Sequence, residues 1–567
     1  MFSFFRQSLV YHRAWIIPLL LLVLFFALRL PFITKEYAPE ETAWIQAGRG
    51  VAATGFPWTY LGENNAGSWA YWKGPFFPWL LGFIFLLFGE YEYAARSIPL
   101  LFSAGQIILV FLLARKIWGD EKGLSVGAVA AFLLAIHPLA IQNAVQIDID
   151  GSSVAFFALL VLYFSWLLVT SDDWRRRDAV AAFCSSAALF LVRFDTPLMI
   201  FFSLTLLSFL FGNTKRALRL VVLYGTAIVF VVIIIFLYSA AFGQFSKAAE
   251  PFYNLVIGTW SALLIKFGSA SVATYHSRLY EVLPGIQLGP FAPIAEAIFP
   301  SVAFLAVVFV WTTIPLTLLF LSILIRAVLQ KIHKEEGVAY LLLPALVMFF
   351  TFAFVAITFN YPRYIHTSLI LMLIATAYIG QEWFSLVARH KKAAFIGALL
   401  LAFLLTLTPL KYLLFENRIR SGTIFTAIAL GITYITSIVS GSVFSDAKKR
   451  NFLGASLVVA YVTFVFLLTA KDMQKPYSLN AYYGNYGFKE AGQYLKRAAK
   501  PSDIVVTIDA IGYYYGGRYY DANLFNPSTD GETDFVAIYT LPPGRFERLI
   551  GNMNIAASFG TVNIFKK

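Results

Sequence analysis

Several short stretches of the chain hold the residue types that proton transfer and anion binding require. Glu40 and Glu41 lie in Ala38-Pro-Glu-Glu-Thr-Ala-Trp, and Asp148 and Asp150 in Gln146-Ile-Asp-Ile-Asp-Gly. Arg193 and Asp195 flank Phe194, Lys73 precedes a Gly-Pro pair, and Arg363 and Tyr364 close Asn360-Tyr-Pro-Arg-Tyr. A hydroxyl becomes a nucleophile when a carboxylate within hydrogen-bond reach takes its proton. A departing phosphate needs cations or N–H donors to take up its charge. Arginine meets phosphate with a bidentate fork, and lysine meets it with a point charge. Acids and bases grouped this way suit transfer of a group from a phosphate to an acceptor hydroxyl.

Each of these residues also has a plainer reading. Glu40 and Glu41 suit the first turn of a helix behind Pro39, and Asp148 or Asp150 suits the N-cap of a helix starting near Gly151. Arg193 with Asp195 makes a structural ion pair. Lys73 can extend its amine to head groups, and Arg363 between tyrosines suits an interfacial belt. His137, before Pro138, reads first as a satisfied structural histidine, and His276 lies in a loop beside Tyr275. No Gly-rich loop ending in Lys-Ser or Lys-Thr occurs, so nothing points to nucleotide hydrolysis. The run Tyr513-Tyr-Tyr-Gly-Gly-Arg reads as a structural turn, with acceptor contact as the alternative.

These residues sit on a chain made for a bilayer. Of 567 residues, 59% are hydrophobic and 13% charged, too little polar surface to cover a water-soluble globule. A bilayer core takes about 20 apolar residues per helix. Candidate spans lie at 15–33, 98–114, 124–141, 152–170, 179–193, 196–212, 217–241, 301–325, 338–359, 364–381, 393–410, 421–440 and 453–470, about 13 in all. Arg6 and Arg13 precede the first, and no small-residue cleavage site follows it, so it reads as a retained helix. The short apolar stretch Pro75–Phe88 reads as a helix lying against the membrane. With it excluded, Arg115/Lys116, Arg175–Arg177, Lys215/Arg216, Arg326/Lys331/Lys334, Arg389/Lys391/Lys392 and Lys448–Arg450 share one side, which is then cytoplasmic. The net charge of +13 thus orients helices, and nucleic acid is not an expected partner. Cys184 is the single cysteine, which excludes an intrachain disulfide and a cysteine metal cluster.

Residues 1–470 form the expected multi-spanning domain, with its N-terminus cytoplasmic and large outward loops near 34–97 and 242–300. Residues 471–567 differ in composition and read as a small extracytoplasmic α/β domain. A helix is expected at Phe488–Ala499, then a turn, a strand at Ile504–Ile508, a Gly- and Tyr-rich turn, and a strand at Phe535–Tyr539. Glu40, Glu41, Asp148 and Asp150 then open on one outward face. No internal repeat or low-complexity tract occurs.

An ordered series of motifs follows the chain: Leu28-Arg-Leu-Pro, Pro39-Glu-Glu, Trp72-Lys-Gly-Pro, Phe88-Gly-Glu-Tyr-Glu-Tyr-Ala-Ala-Arg, Leu113-Ala-Arg-Lys-Ile-Trp-Gly, Asp150, Pro362-Arg-Tyr-Ile, and Tyr-Tyr-Gly-Gly-Arg-Tyr-Tyr-Asp ending at Asp521. In order and spacing it resembles the GT-C superfamily of membrane glycosyltransferases, in the branch of protein O-mannosyltransferases and bacterial aminoarabinose transferases. The resemblance implies a polytopic α-helical fold and inverting transfer of a sugar from a polyprenyl-phosphate donor. It implies an acidic catalytic position at Glu40, with Glu41 beside it, and a second at Asp150. It also implies donor-phosphate contacts at Lys73 and at Arg363. Two positions depart from the pattern: the first acid, usually Asp, is Glu40, and the residue before the lysine, often Glu, is Trp72.

The expected catalytic residues are therefore Glu40, Glu41, Asp150 and Asp148, with Lys73, Arg363, Arg193 and Tyr364 on the donor phosphate. The sequence names no certain cofactor, and a divalent metal stays open. A divalent metal, if used, would draw on Asp148, Asp150, His137 and His276. The expected partners are a lipid-linked sugar, a glycolipid, glycan or protein acceptor, and membrane lipids in the plasma (inner) membrane. Rival readings are a transporter or flippase of lipid-linked saccharides and a non-enzymatic membrane receptor or assembly factor. Transporters often show internal repeats and matched broken helices, and neither is evident here.

Overall fold

The computed structural model describes residues 16–60, 63, 66–69, 74–171, 174–245, 248, 336–355, 362–389, 486–522, 525, 533–538 and 553–567. The spans expected at 301–325, 393–410, 421–440 and 453–470 lie outside these residues. So do most of the loop at 242–300, Trp72, Lys73, His276 and the side chain of Glu40.

The apolar helix α1 (Ile16–Phe32) tightens to a 3-10 turn at Leu30–Phe32. Helix α2 (Pro39–Thr54) follows after six residues. Pro39 stands at its first position, where no N–H partner is needed, and Glu41 reaches back to accept the Ala38 N–H. Gly55, at φ 82°, ends it. A two-stranded antiparallel hairpin, β1 (Trp58–Tyr60) and β2 (Ala66–Trp69), leads on to α3 (Phe76–Phe88). The short helix expected from Pro75 is thus present. It packs tightly on α2, since a Cβ at Gly48 would meet Leu81 and one at Gly82 would meet Val51.

The spans expected at 98–114 and 124–141 are two helices, Glu92–Asp120 and Lys122–Ile136, parted by a break at Gly119 with φ 79° and together labelled α4 (Glu92–Ile136). It stops at His137, ahead of the expected end. Proline disfavours helical backbone in the residue before it, and His137 is extended at φ −66°, ψ 126°. The next helix, α5 (Pro138–Val145), leaves at a bend of 68°. The remaining helices follow the expected apolar runs: α6 (Ser153–Thr170), α7 (Arg176–Val192), α8 (Asp195–Leu210), α9 (Thr214–Ala241), α10 (Glu336–Val355) and α11 (His366–Arg389). A 3-10 turn at Pro362–Ile365 leads into α11.

Among the described residues, Glu92–Asp120, Ser153–Thr170 and Thr214–Ala241 are long and apolar enough to cross a membrane. The bent pair Lys122–Ile136 and Leu139–Val145 makes a fourth if it is one broken span. The helices share one core, with Ile107, Val110, Leu134, Leu159, Leu204 and Ile374 at its centre. Much of α9 stays exposed, including Leu218, Val222, Val229 and Leu237. That apolar face suits lipid. The chain is an integral membrane protein.

The C-terminal residues form a mixed sheet with its own core. Helix α12 (Phe488–Ala498), one residue shorter than expected, precedes β3 (Val505–Thr507), where the fully buried Val505, Val506 and Thr507 read as an inner strand. The expected Gly- and Tyr-rich turn contains a short helix, α13 (Asp509–Tyr515), before β4 (Tyr520–Asp521). Strand β5 (Phe535–Ile538) matches its expected place to one residue. Strands β6 (Asn554–Phe559) and β7 (Val562–Lys566) form a hairpin not expected from the sequence. The order is β4-β3-β5-β7-β6, with β3 parallel to both neighbours and the rest antiparallel. Phe488, Leu495, Val506, Ile511, Phe535 and Ile564 fill the core.

Candidate active site

The turn between α5 and α6 carries Asp148 and Asp150. Asp148 Oδ1 accepts the backbone N–H of Asp150 at 2.9 Å, and the Ser152 hydroxyl donates to the Asp148 carbonyl at 2.6 Å. Aspartate bonding the backbone two residues on is a local turn former. The turn is also gripped from outside. Gln106 of α4 donates to the carbonyls of Gly151 and Ser152 at 3.1 and 2.7 Å, and its Oε1 lies 3.2 Å from His366 Nε2. A Cβ at Gly151 would collide with the side chain of Asn143.

Both aspartates are buried, and a buried carboxylate needs a partner. Asp150 pairs with Arg193, the C-cap of α7, through Nη1. Arg193 holds Asp195, the first residue of α8, with Nε at 2.5 Å and Nη2 at 2.8 Å. Arg363 enters from the turn before α11, its Nε 3.3 Å from Asp148 Oδ2 and 3.8 Å from Asp150 Oδ2. Tyr364 lies beside both cations, its ring centre 5.1 Å from the Arg193 guanidinium and 5.7 Å from that of Arg363. Three stretches of the sequence thus meet: 148–150, 193–195 and 363–364. The plainer reading of Asp150 as the N-cap of α6 does not hold, since that place falls to Ser152. Ser152 bonds no helix N–H with its side chain, while the Asp150 carboxylate serves Arg193.

Glu41 lies deeper than a solvated loop residue would. Its Oε2 accepts from the Ala38 N–H at 2.8 Å and from Arg96 Nη2 at 2.6 Å, and its Oε1 accepts from the Ile147 N–H at 2.8 Å. Burial pushes its carboxyl above the ordinary range, and Arg96 and the two N–H groups draw it down. The same Arg96 donates to the carbonyls of Val145, Lys35 and Glu36. Glu41 thereby ties the start of α2 to the residue just before Asp148. Its neighbour Glu40 shares the first turn of α2.

Arg96 was legible in the motif Tyr-Ala-Ala-Arg and carried no expected role. The signal was a guanidinium at the head of a long apolar helix, where charge is costly without a partner. Gln106 and His366 carried no signal beyond polarity in apolar runs. His137 does what a structural histidine does, its Nδ1 accepting the Leu139 N–H at 3.2 Å as the cap of α5. Among the described residues, no three His, Cys, Asp or Glu side chains stand close enough to hold a metal ion. Lys73 and His276 lie outside them. Gly74, the residue after Lys73, packs on the backbone of Leu191 and Val192, next to Arg193.

Residues 72–241 match the family of dolichyl-phosphate-mannose-protein mannosyltransferases. The match holds Arg96, Gln106, the turn with Asp148 and Asp150, and Arg193 with Asp195, and leaves outside it residues 35–41 and 362–366. The fold is similar to that of ArnT from Cupriavidus metallidurans bound to undecaprenyl phosphate, at 14% identity and a TM-score of 0.55, covering 97% of each chain. The archaeal oligosaccharyltransferase AglB from Archaeoglobus fulgidus, in complex with an inhibitory peptide and a dolichol-phosphate, aligns at 11% identity and a TM-score of 0.49, over 93% of this chain and 69% of its own. No curated protein matches the sequence significantly.

Proposed function

We propose that the chain moves a sugar from a polyprenyl-phosphate donor to an acceptor hydroxyl, with inversion at the sugar carbon. The observation that carries this reading is the convergence of Asp148, Asp150, Arg193, Arg363 and Tyr364 at one end of an apolar helix bundle. Buried ionisable groups in such a body are expensive, and function is the usual reason for keeping them. The mannosyltransferase family match and the likeness in fold to a protein bound to undecaprenyl phosphate support a lipid-phosphate donor.

In this reading Glu40 takes the proton of the acceptor hydroxyl. The oxygen attacks the sugar carbon from the face opposite the phosphate, the carbon–oxygen bond to the phosphate breaks, and the polyprenyl phosphate leaves. Glu41 fits a positioning role, since both its oxygens already hold N–H donors. Asp148 and Asp150 face arginines, so they suit orientation of the acceptor and of the cations more than proton uptake. Lys73, Arg363, Arg193 and Tyr364 form the donor-phosphate end, with Arg193 dividing its donors between Asp150 and Asp195. The basic loops favour an extracytoplasmic position for this end and for a domain spanning 471–567.

The test uses the purified protein in lipid nanodiscs with radiolabelled polyprenyl-phosphate mannose, aminoarabinose and related donors, membrane acceptors, and EDTA in parallel. Label should move to an acceptor, and Glu40→Gln should lower kcat by about 10²–10⁴-fold, the range of one positioned acid or base. The reading fails if Glu40→Gln and Asp150→Asn both transfer at the wild-type rate in folded protein. It also fails if no donor is consumed or bound, and transport of the lipid-linked sugar then becomes the assay to run.

A further inference from the structure

The segment between α1 and α2 is held from two sides, and Glu36 is the hinge between them. Its side chain is buried and points at the start of α12 in the C-terminal domain. Glu36 Oε1 accepts the backbone N–H groups of Tyr486 and Gly487, the latter at 3.0 Å, and Oε2 accepts that of Lys489 at 3.0 Å. A carboxylate over the unpaired N–H groups of a helix start gains charge-assisted hydrogen bonds and the favourable end of the helix dipole. The backbone there is specialised for the contact. Gly487 sits at φ 82°, and a Cβ on it would run into the carbonyl of Phe559.

The other side of the same segment faces the candidate site. The carbonyls of Lys35 and Glu36 accept from Arg96, which also holds Glu41. Glu41 in turn holds the N–H of Ile147, next to Asp148. Between these anchors the Tyr37 N–H donates to the Tyr514 hydroxyl at 2.8 Å, and that hydroxyl donates to Glu92 at 3.3 Å. Lys489 Nζ reaches the same Glu92 oxygen at 2.6 Å. These contacts tie residues 35–38 to α4, α12 and α13 and so fix where α2 begins.

We infer that Glu36 is a positioning residue of the proposed transfer, its carboxylate docking the C-terminal domain so that Glu40 and the Asp148–Asp150 turn are held in register. The domain then belongs to the active site without touching the donor. A misplacement of about 1 Å at a reacting group costs about 100-fold in rate, which is the scale on which such a strut matters. Burial pushes the Glu36 carboxyl above its ordinary range while its three N–H partners draw it down.

This inference rests on the transferase reading for its kinetic arm only. Hydrogen–deuterium exchange on the full chain in nanodiscs tests the docking without any substrate. Glu36→Ala and, from the opposite partner, Gly487→Ala should each raise exchange severalfold at 486–498, and also at 35–41 and 146–152. Glu36→Gln, which keeps the shape and one acceptor oxygen, should fall between them and wild type. With a donor that wild type uses, kcat should drop at least about tenfold in both variants while KM for the donor stays within twofold. A rise confined to 486–498, or wild-type kcat in both variants, overturns the inference. Gly487→Ala decides it if Glu36→Ala does not fold. If wild type transfers no sugar, the transferase reading falls, and the exchange pattern alone decides whether Glu36 couples the domain to the turn.

Discussion

At the scale of single residues, the ion pair between Arg96 and Glu41 shows how much of this protein's polar structure serves position. Both side chains are almost fully buried. Removing one partner strands the other charge, at a cost of about 3–5 kcal/mol for a buried pair. Arg96→Leu should therefore lower the thermal unfolding temperature sharply in detergent or nanodiscs. Arg96→Leu combined with Glu41→Leu should recover part of the loss, and a double-mutant cycle would measure how much the two couple. Asp150→Asn poses the opposite case, because the amide keeps the shape and Arg193 retains Asp195. Its expected outcome is loss of transfer with the unfolding temperature within a few degrees of wild type, read by a donor-transfer assay beside a melting curve.

At the scale of elements, the turn at 146–152 depends on neighbours more than on its own sequence. Its internal bonds are local, from Asp148 and Ser152. Its place is set by Gln106 from α4 and, through Glu41, by α2. Gln106→Leu would take this donor from the buried Gly151 carbonyl, while the Ser152 carbonyl keeps the Phe156 N–H, at about 1–3 kcal/mol for an unsatisfied buried group. We expect faster hydrogen exchange across 147–154 and a lower melting temperature in this variant, with α6 itself unchanged in helical content by circular dichroism. The bend at His137-Pro138 plays the complementary part, since it turns α5, which leads into the turn, away from the line of α4.

At the scale of the whole molecule, tyrosines join Glu36 and Lys489 in tying the C-terminal sheet region to the helices among the described residues. Tyr37 packs against Tyr513 and Tyr514, with ring centres 5.3 and 6.0 Å apart, and Arg49 lies 4.8 Å over the Tyr513 ring. The hairpin after α2 adds its own tie, with the Glu63 N–H donating to the Tyr519 carbonyl at 2.7 Å. Burial drives the Tyr514 phenol well above its usual range and that of Tyr513 up to about 12, so both stay protonated donors. Tyr514→Phe removes the acceptor of the Tyr37 N–H and a donor to Glu92. It should cost about 0.5–1.5 kcal/mol, seen as earlier release of the domain under limited proteolysis.

The sequence by itself determined what rests on local free energy. Apolar runs had to become helices in lipid, Pro39 suited a helix start, and strands were legible at Ile504–Ile508 and Phe535–Tyr539, whereas the helix break at Pro138, inside the expected span 124–141, was not. It also showed which residue types were out of place in such a body, and so named Asp148, Asp150, Arg193 and Arg363 before any contact was known. Tertiary structure decided who partners whom. Asp150 reads as a helix cap from its neighbours and is instead bound to Arg193, 43 residues away. Glu41 reads as the twin of Glu40 and is instead held by Arg96, 55 residues away. The run at Tyr513 reads as a turn and is a docking face. In each case the deciding term is the desolvation of a polar group, and its cost depends on what the rest of the chain brings to meet it.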